Sequence, residues 1–241
     1  MTAGVSEDQP QPILAHLAEL RKRIIKVALA LAITCIVALV FASPLTEILE
    51  LPYREAAPGN SFQSLEAGEE FGVLMRVAFF GGILLASPVI LYQIWAFVSP
   101  ALTRKEKKWV VPIVSAFVVL FTGGVLFGYW LLPRALQVLL GIFPDVENNL
   151  RIGPYYSFVL RLLLAFGVTF QFPVFLFAMA AAGVIDSRAL GRGRRWAVLV
   201  ITIAAAAITP TGDVLTLAAM VVPLYLLYEL TIWIIKLVLR R

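Results

Sequence analysis

The sequence predicts an all-α, polytopic membrane helix bundle, and three observations carry that prediction. The chain is 61% hydrophobic and only 15% charged, whereas a soluble domain is about half apolar and a quarter charged. Its mean hydropathy is +0.90. Its apolar runs are long and unbroken, unlike the alternating strands of about ten residues that build a membrane β-barrel. Helices satisfy every backbone N–H and C=O within the segment, which the bilayer core demands.

Six apolar segments are expected to form transmembrane helices: 24–42, 71–98, 110–132, 154–183, 196–208 and 214–239. Residues 1–241 read as one membrane domain, because the spans leave no room for a separate soluble unit. Residues 1–20 lack an apolar core, so no cleavable leader is expected. The first segment is preceded by Ile13, Leu17, Leu20 and Ile24, an apolar stripe on a helix starting after Pro12. Ser43-Pro44 marks its end and reads as N-cap and N1 of a short amphipathic helix carrying Leu45, Ile48 and Leu49. The rest of that long connection, to residue 70, is rich in glutamate. Ser99-Pro100 ends the second segment, and Thr103-x-x-Glu106 is a capping box for the third. Pro133 is expected to stop the third, and Gly153-Pro154 opens the fourth. Gly191-Arg192-Gly193 precedes the fifth. This is about 20 Å long as a helix, short for a hydrocarbon core of about 30 Å. Thr209-Pro210-Thr211-Gly212 separates it from the sixth. Gly124-x-x-x-Gly128 permits a close helix contact, and Pro88, Pro173 and Pro223 suggest kinks. No internal repeat is visible at any fixed period, which argues against the inverted halves of many carriers.

Basic residues orient the bundle. Arg21, Lys22, Arg23 and Lys26 precede the first span, and Arg104, Lys105, Lys107 and Lys108 fill the second connection. Arg188, Arg192, Arg194 and Arg195 fill the fourth, and Lys236, Arg240 and Arg241 close the chain. Against these stand only Arg54, Arg134 and Arg151 on the other side, with Arg76 and Arg161 in the outer third of their spans. The basic side faces the cytoplasm, so both termini are expected there. The net charge of +5 therefore reflects topology, and nucleic-acid binding is not expected. Trp95, Trp109 and Trp196 read as an inner aromatic belt. Tyr129, Trp130, Tyr155 and Tyr156 read as the outer one.

One cysteine, Cys35, and one histidine, His16, leave no disulfide, C-x-x-C pair or multi-histidine metal site. No nucleophile–base constellation is present either, so no cofactor and no enzymatic activity are expected. Polar groups inside spans are functional candidates by default. Gln171, within FGVTFQFP, is one, read either as a packing hydrogen bond or as a partner contact. Glu229, in LYEL, is another. Glu19 lies within a basic cluster. Spaced four residues from Arg23, it can pair on the helix surface. The alternative is that Glu19 and Glu106 each receive a guanidinium from outside, since arginine pairs with carboxylates in a two-pronged geometry.

HLAELRKR (16–23), SPVILYQIWAFVSPAL (87–102) with KEKK just after, FGVTFQFP (166–173) and TPTGD (209–213) together resemble the TatC subunit of the twin-arginine protein translocase. Their order and spacing agree along nearly the whole chain. The resemblance implies a glove-shaped bundle with a concave face, shortened last two helices and a plasma or inner membrane location. It implies a receptor for twin-arginine signal peptides that moves folded proteins using the proton-motive force. Its implied partners are those peptides, single-span subunits of TatA and TatB type, the lipid bilayer and further copies of itself. By position, Glu19 and Glu106 match the acids that recognise the arginine pair, with Leu20, Arg21, Phe97 and Leu102 beside them. Pro52 and Asp213 match functional positions of the outer loops. Gln171 stands where many members carry glutamate, so a protonation step there is in doubt. A small-solute or proton-coupled carrier using Gln171, Glu229 and Arg161 is the alternative, and a purely scaffolding subunit the third reading.

Overall fold

The computed structural model describes residues 13–59, 61–98, 110–141, 150–208 and 214–239. Leu102, Glu106 and Asp213, singled out above, lie outside them. The described residues form α1 (Ile13–Val40), α2 (Ala42–Ala56), α3 (Glu69–Val98), α4 (Val110–Gly141) and α5 (Ile152–Thr169). There follow α6 (Phe172–Ala181), α7 (Ser187–Arg192), α8 (Arg194–Ile208) and α9 (Val214–Ile234), which ends in a π-helical turn, Ile235–Leu239.

Five stretches among these are long and apolar enough to cross a bilayer: His16–Val40, Glu69–Phe97, Val111–Gly141, Ile152–Ala181 and Leu217–Leu239. The expectation of six transmembrane helices is thereby corrected to five. The segment 196–208 does fold as a helix, but α8 has only 15 residues. At 1.5 Å per residue it is about 22 Å long, well short of the hydrocarbon core.

Several boundaries also differ from expectation, each for a local reason. Pro133 does not end the third span, because α4 continues through it to Gly141. Membrane helices tolerate proline where neighbouring groups reoccupy the freed carbonyl. Ser43 is not the cap of α2. The helix begins at Ala42 after Phe41, which makes no side-chain capping bond. The fourth span breaks at Phe170–Gln171. Pro173 lies in the first turn of α6, where its missing N–H is harmless, but the ring cannot continue the α5 ladder. Gly183, at φ 75°, ends α6: its N–H reaches Ala180 O and the Val184 N–H reaches Met179 O. The Asp186 carboxylate then caps α7 by accepting from Ala189 N at 2.6 Å.

α1 lies along α3, while α3 and α4 both pack on α5 and α9 packs on α6 and α8. The α1–α3 contact is close because of Gly81 and Gly82. A Cβ on Gly82 would strike the Cys35 side chain and come within 2.9 Å of Cys35 Cα. Thr34 Oγ1 donates to Gly82 O at 2.8 Å across the same contact. Gly124 and Gly128 act alike on α5, facing Phe166. The core runs through Phe117, Leu132, Tyr156, Val159, Leu163 and Phe166. Two ends can be distinguished. At the basic end His16 of α1 stacks on Phe97 of α3, and Pro112 and Ile113 of α4 share a small cavity with Val238. At the opposite end α2 lies against α3 and α4.

Candidate functional site

At the basic end the first turns of α1 meet the last turns of α3. Arg23 lies four residues after Glu19, so the two share a helix face. The guanidinium grips the Glu19 carboxylate through one oxygen: Arg23 Nε donates to Oε1 at 3.0 Å and Nη2 donates to the same atom. Arg23 Nη1 crosses to α3 and donates to Gln93 Oε1 at 3.2 Å. His16 Nδ1 stands 3.8 Å from Glu19 Oε2, and its ring stacks on Phe97 with centroids 4.3 Å apart. The surface-pair reading of Glu19 is thus what the free chain adopts. The two oxygens differ, however. Oε1 is occupied, whereas Oε2 has no hydrogen-bond donor among the described residues. Glu19 is 25% exposed, so that oxygen is reachable.

Phe97 is brought to Glu19 through His16. Leu20 is half-buried and Arg21 is exposed beside them. Leu17 and Ile24 of the expected stripe are exposed, as a lipid-facing flank would be. Gln93 was missed by the sequence reading. The signal was available: it is a second amide inside an apolar run, like Gln171. It is buried and ties Arg23 to α3. Trp95, two residues on, is buried, and its indole N–H finds no partner among the described residues. It does not form an interfacial belt, whereas Trp196 is exposed as one expects there.

Gln171 is buried at the α5–α6 break. Its amide donates to Phe117 O at 3.2 Å and to Gly167 O at 3.3 Å. Its backbone carbonyl accepts from Val174 N and Phe175 N. The Oε1 atom is buried without a partner among the described residues. The side chain therefore bonds α5–α6 to α4. Glu229 joins α9 to the start of α8. Arg194 Nε and Nη2 donate to its two oxygens at 2.6 and 2.9 Å, and Tyr225 Oη donates at 2.8 Å. Hydrogen bonding to Glu229, with its charge, raises the Arg194 pKa above the ordinary guanidine value.

The α2 end is held by tyrosines. Pro52 sits inside α2 and is buried. It has no N–H to give Ile48 O, four residues back. Tyr129 of α4 donates to that carbonyl at 2.7 Å. Tyr155 and Tyr156 of α5 donate to Leu49 O at 2.7 Å and Thr46 O at 3.0 Å. The expected outer belt is corrected here: Tyr155 and Tyr156 are buried and clamp α2. Trp130 alone of that group is strongly exposed, with Arg134 over its ring. The segment after α2 is tied down too: Gln63 N donates to Leu150 O and Ile152 N to Gln63 O.

Comparison with known proteins agrees with these features. A family model described as Sec-independent protein translocase protein (TatC) matches residues 15–223. The Sec-independent protein translocase protein TatC of Aquifex aeolicus is 38% identical over 234 residues, covering 95% of this chain and 97% of that protein. That of Xylanimonas cellulosilytica is 38% identical over 224 residues, covering 90% and 80%. A crystal structure of the twin-arginine translocase receptor TatC in DDM superposes with a TM-score of 0.81 at 38% identity, covering 92% of this chain and all of that one. The break at Gln171, the tyrosine-clamped α2 and the Glu19–Arg23–Gln93 link between α1 and α3 thus belong to a chain that is a member of the TatC family of Sec-independent protein translocase proteins.

Proposed function

We propose that the basic end receives the arginine pair of a twin-arginine signal peptide, with Glu19 and Glu106 each taking one guanidinium. Family membership makes the chain the core receptor subunit of the translocase, a non-catalytic protein of the membrane. The finer reading rests on the Glu19 carboxylate. Arg23 occupies and orients it through Oε1 alone, which leaves Oε2 for a guanidinium arriving from solution. A charge-assisted bond to a half-buried carboxylate is stronger and more directional than one in water. Leu20, Arg21, Phe97 and Leu102 surround this contact. The apolar segment of the signal then runs along the exposed flank of the bundle, and the proton-motive force drives the folded cargo across.

The basic end faces the cytoplasm in this reading, with both termini on that side. What supports it is the basic clustering together with the hairpin formed by α8 and α9. Because Arg194 pairs with Glu229, the hairpin leaves and returns to one end of the bundle. Residues 1–241 act as one membrane domain. Pro52 and Asp213 serve at the opposite face, Pro52 by freeing the Ile48 carbonyl that anchors α2. Gln171 and Glu229 act on partner subunits of TatA and TatB type by fixing the helices that present the docking faces, and copies of the chain associate.

Binding of a labelled precursor to the purified protein tests the site. Glu19→Gln and Glu106→Gln are each expected to weaken an Arg-Arg signal roughly tenfold, with little effect on a Lys-Lys signal. Equal binding of both signals to all variants would return Glu19 to its pair with Arg23.

A further inference from the structure

A second site lies at the α2 end, apart from the Glu19 site. A cavity of about 1070 Å³ opens between α3, α5 and the far end of α8, large enough for a small-molecule ligand. Two adjoining helical stripes line it, joined by the bonds of Gly153 N to Glu69 and of Arg76 to Ser157. On α3 they are Glu69, Gly72 and Arg76; on α5 they are Gly153, Ser157, Arg161 and Ala165. The spacing of three to four residues puts each set on one face. Arg151 is neutralised, since it stands 3.2 Å from Glu66 and 3.6 Å from Glu69. Among the described residues Arg76 meets only neutral acceptors, Ser157 Oγ at 2.9 Å and Gly153 O at 3.4 Å. Arg161, one turn beyond Ser157, is exposed and has no hydrogen-bond or ion-pair partner among the described residues. Two guanidiniums thus line one cavity without a carboxylate between them. They lie two to three turns inside spans, where an uncompensated charge is costly. The wall is apolar beside them at Phe158 and Leu162 and beyond them at Ala165 and Ala207.

We propose that this cavity binds the phosphate of an anionic glycerophospholipid from the leaflet at the α2 end, held between Arg76 and Arg161. The guanidinium fork matches phosphate oxygens. The apolar wall beneath suits the proximal acyl chains. The excess of arginine over carboxylate favours a headgroup without an ammonium.

Native mass spectrometry of the delipidated protein tests the proposal, with phosphatidylglycerol, phosphatidylcholine and inorganic phosphate as separate probes. Phosphatidylglycerol adducts are expected to exceed phosphatidylcholine adducts several-fold. They are expected to fall roughly tenfold in Arg76→Gln/Arg161→Gln and to persist in Arg134→Gln, whose arginine lies outside the cavity. Arg161→Gln alone, at an exposed position that leaves the fold's contacts intact, is expected to lose part of the binding, and Arg161→Lys to keep more of it. Equal uptake of the two lipids, unchanged adducts in folded Arg161→Gln, or displacement of lipid by millimolar phosphate would overturn the proposal. So would protection of position 161 by a co-purified partner subunit in place of lipid.

Discussion

A single amide shows how a buried polar residue can be structural and costly at once. Gln171 gives both of its useful hydrogen bonds through nitrogen, to Phe117 O and Gly167 O, and leaves its own oxygen buried and unpaired. A typical hydrogen bond contributes about 1 kcal/mol net, while an unmet buried acceptor costs a similar amount. Gln171→Leu is therefore expected to change stability by no more than about 1 kcal/mol. Gln171→Glu leaves at most one donor, the carboxyl proton, for two carbonyl oxygens, and is expected to cost about 1–3 kcal/mol more. Thermal unfolding in detergent checks the order, and a leucine variant less stable than the glutamate one would refute it. Residue identity made Gln171 and Glu19 visible in the sequence, as polar groups where apolar ones dominate. The i,i+4 pair with Arg23 was readable from spacing as well. The Arg23–Gln93 bond was not, because the two are 70 positions apart and nothing local encodes which turns of α1 and α3 meet.

At the scale of the element, α2 depends on a missing hydrogen bond. Pro52 sits in the helix interior, where proline normally costs about 3 kcal/mol, yet α2 runs through it to Ala56. The carbonyl it leaves free, that of Ile48, is taken by Tyr129. The helix is thereby fastened to α4 at the place where its own ladder is interrupted. Restoring the N–H should release the tyrosine. In a double-mutant cycle, Tyr129→Phe is expected to cost about 1 kcal/mol with Pro52 present and close to nothing in Pro52→Ala. Additive losses would show that the hydroxyl and the proline act separately. Proline also marks where reading elements from sequence failed. By the rules of water-exposed helices proline reads as a stop at Pro133 and as a start beside Ser43. In a bilayer the alternative to a helix is an unpaired backbone, so the helix persists and neighbouring hydroxyls absorb the defect. The kink at Gln171-Phe172-Pro173 was foreseeable from Pro173, but that the ladder would tighten there into i→i−3 bonds, Gln171 N to Val168 O and Val174 N to Gln171 O, depends on the packing of α5 on α4.

For the whole molecule, composition and the long apolar runs were enough to establish a polytopic helical bundle, but span counting failed at α8, where a helix exists without the length to cross. A lipid-embedded helix end must either thin the bilayer or meet polar surroundings. Ala207, next to the last residue of α8, lines the same cavity as Glu66, Arg151 and Arg161. The end of the short helix therefore opens onto a polar recess that reaches the α2 end, and the recess supplies the polarity that the missing turns would otherwise have reached. Leu199, near the middle of α8, is exposed on the helix face turned away from the buried Ile201 and Ala205. In a Cys35→Ser background, Ala207→Cys is expected to react with a membrane-impermeant maleimide added from the α2 side, while Leu199→Cys stays unlabelled from either side. Labelling of neither position would mean that lipid tails seal the end of α8. Labelling of both would mean that the bilayer itself is thinned around the α8–α9 hairpin, since a retreat of the hydrocarbon from its outer surface exposes Leu199 to water.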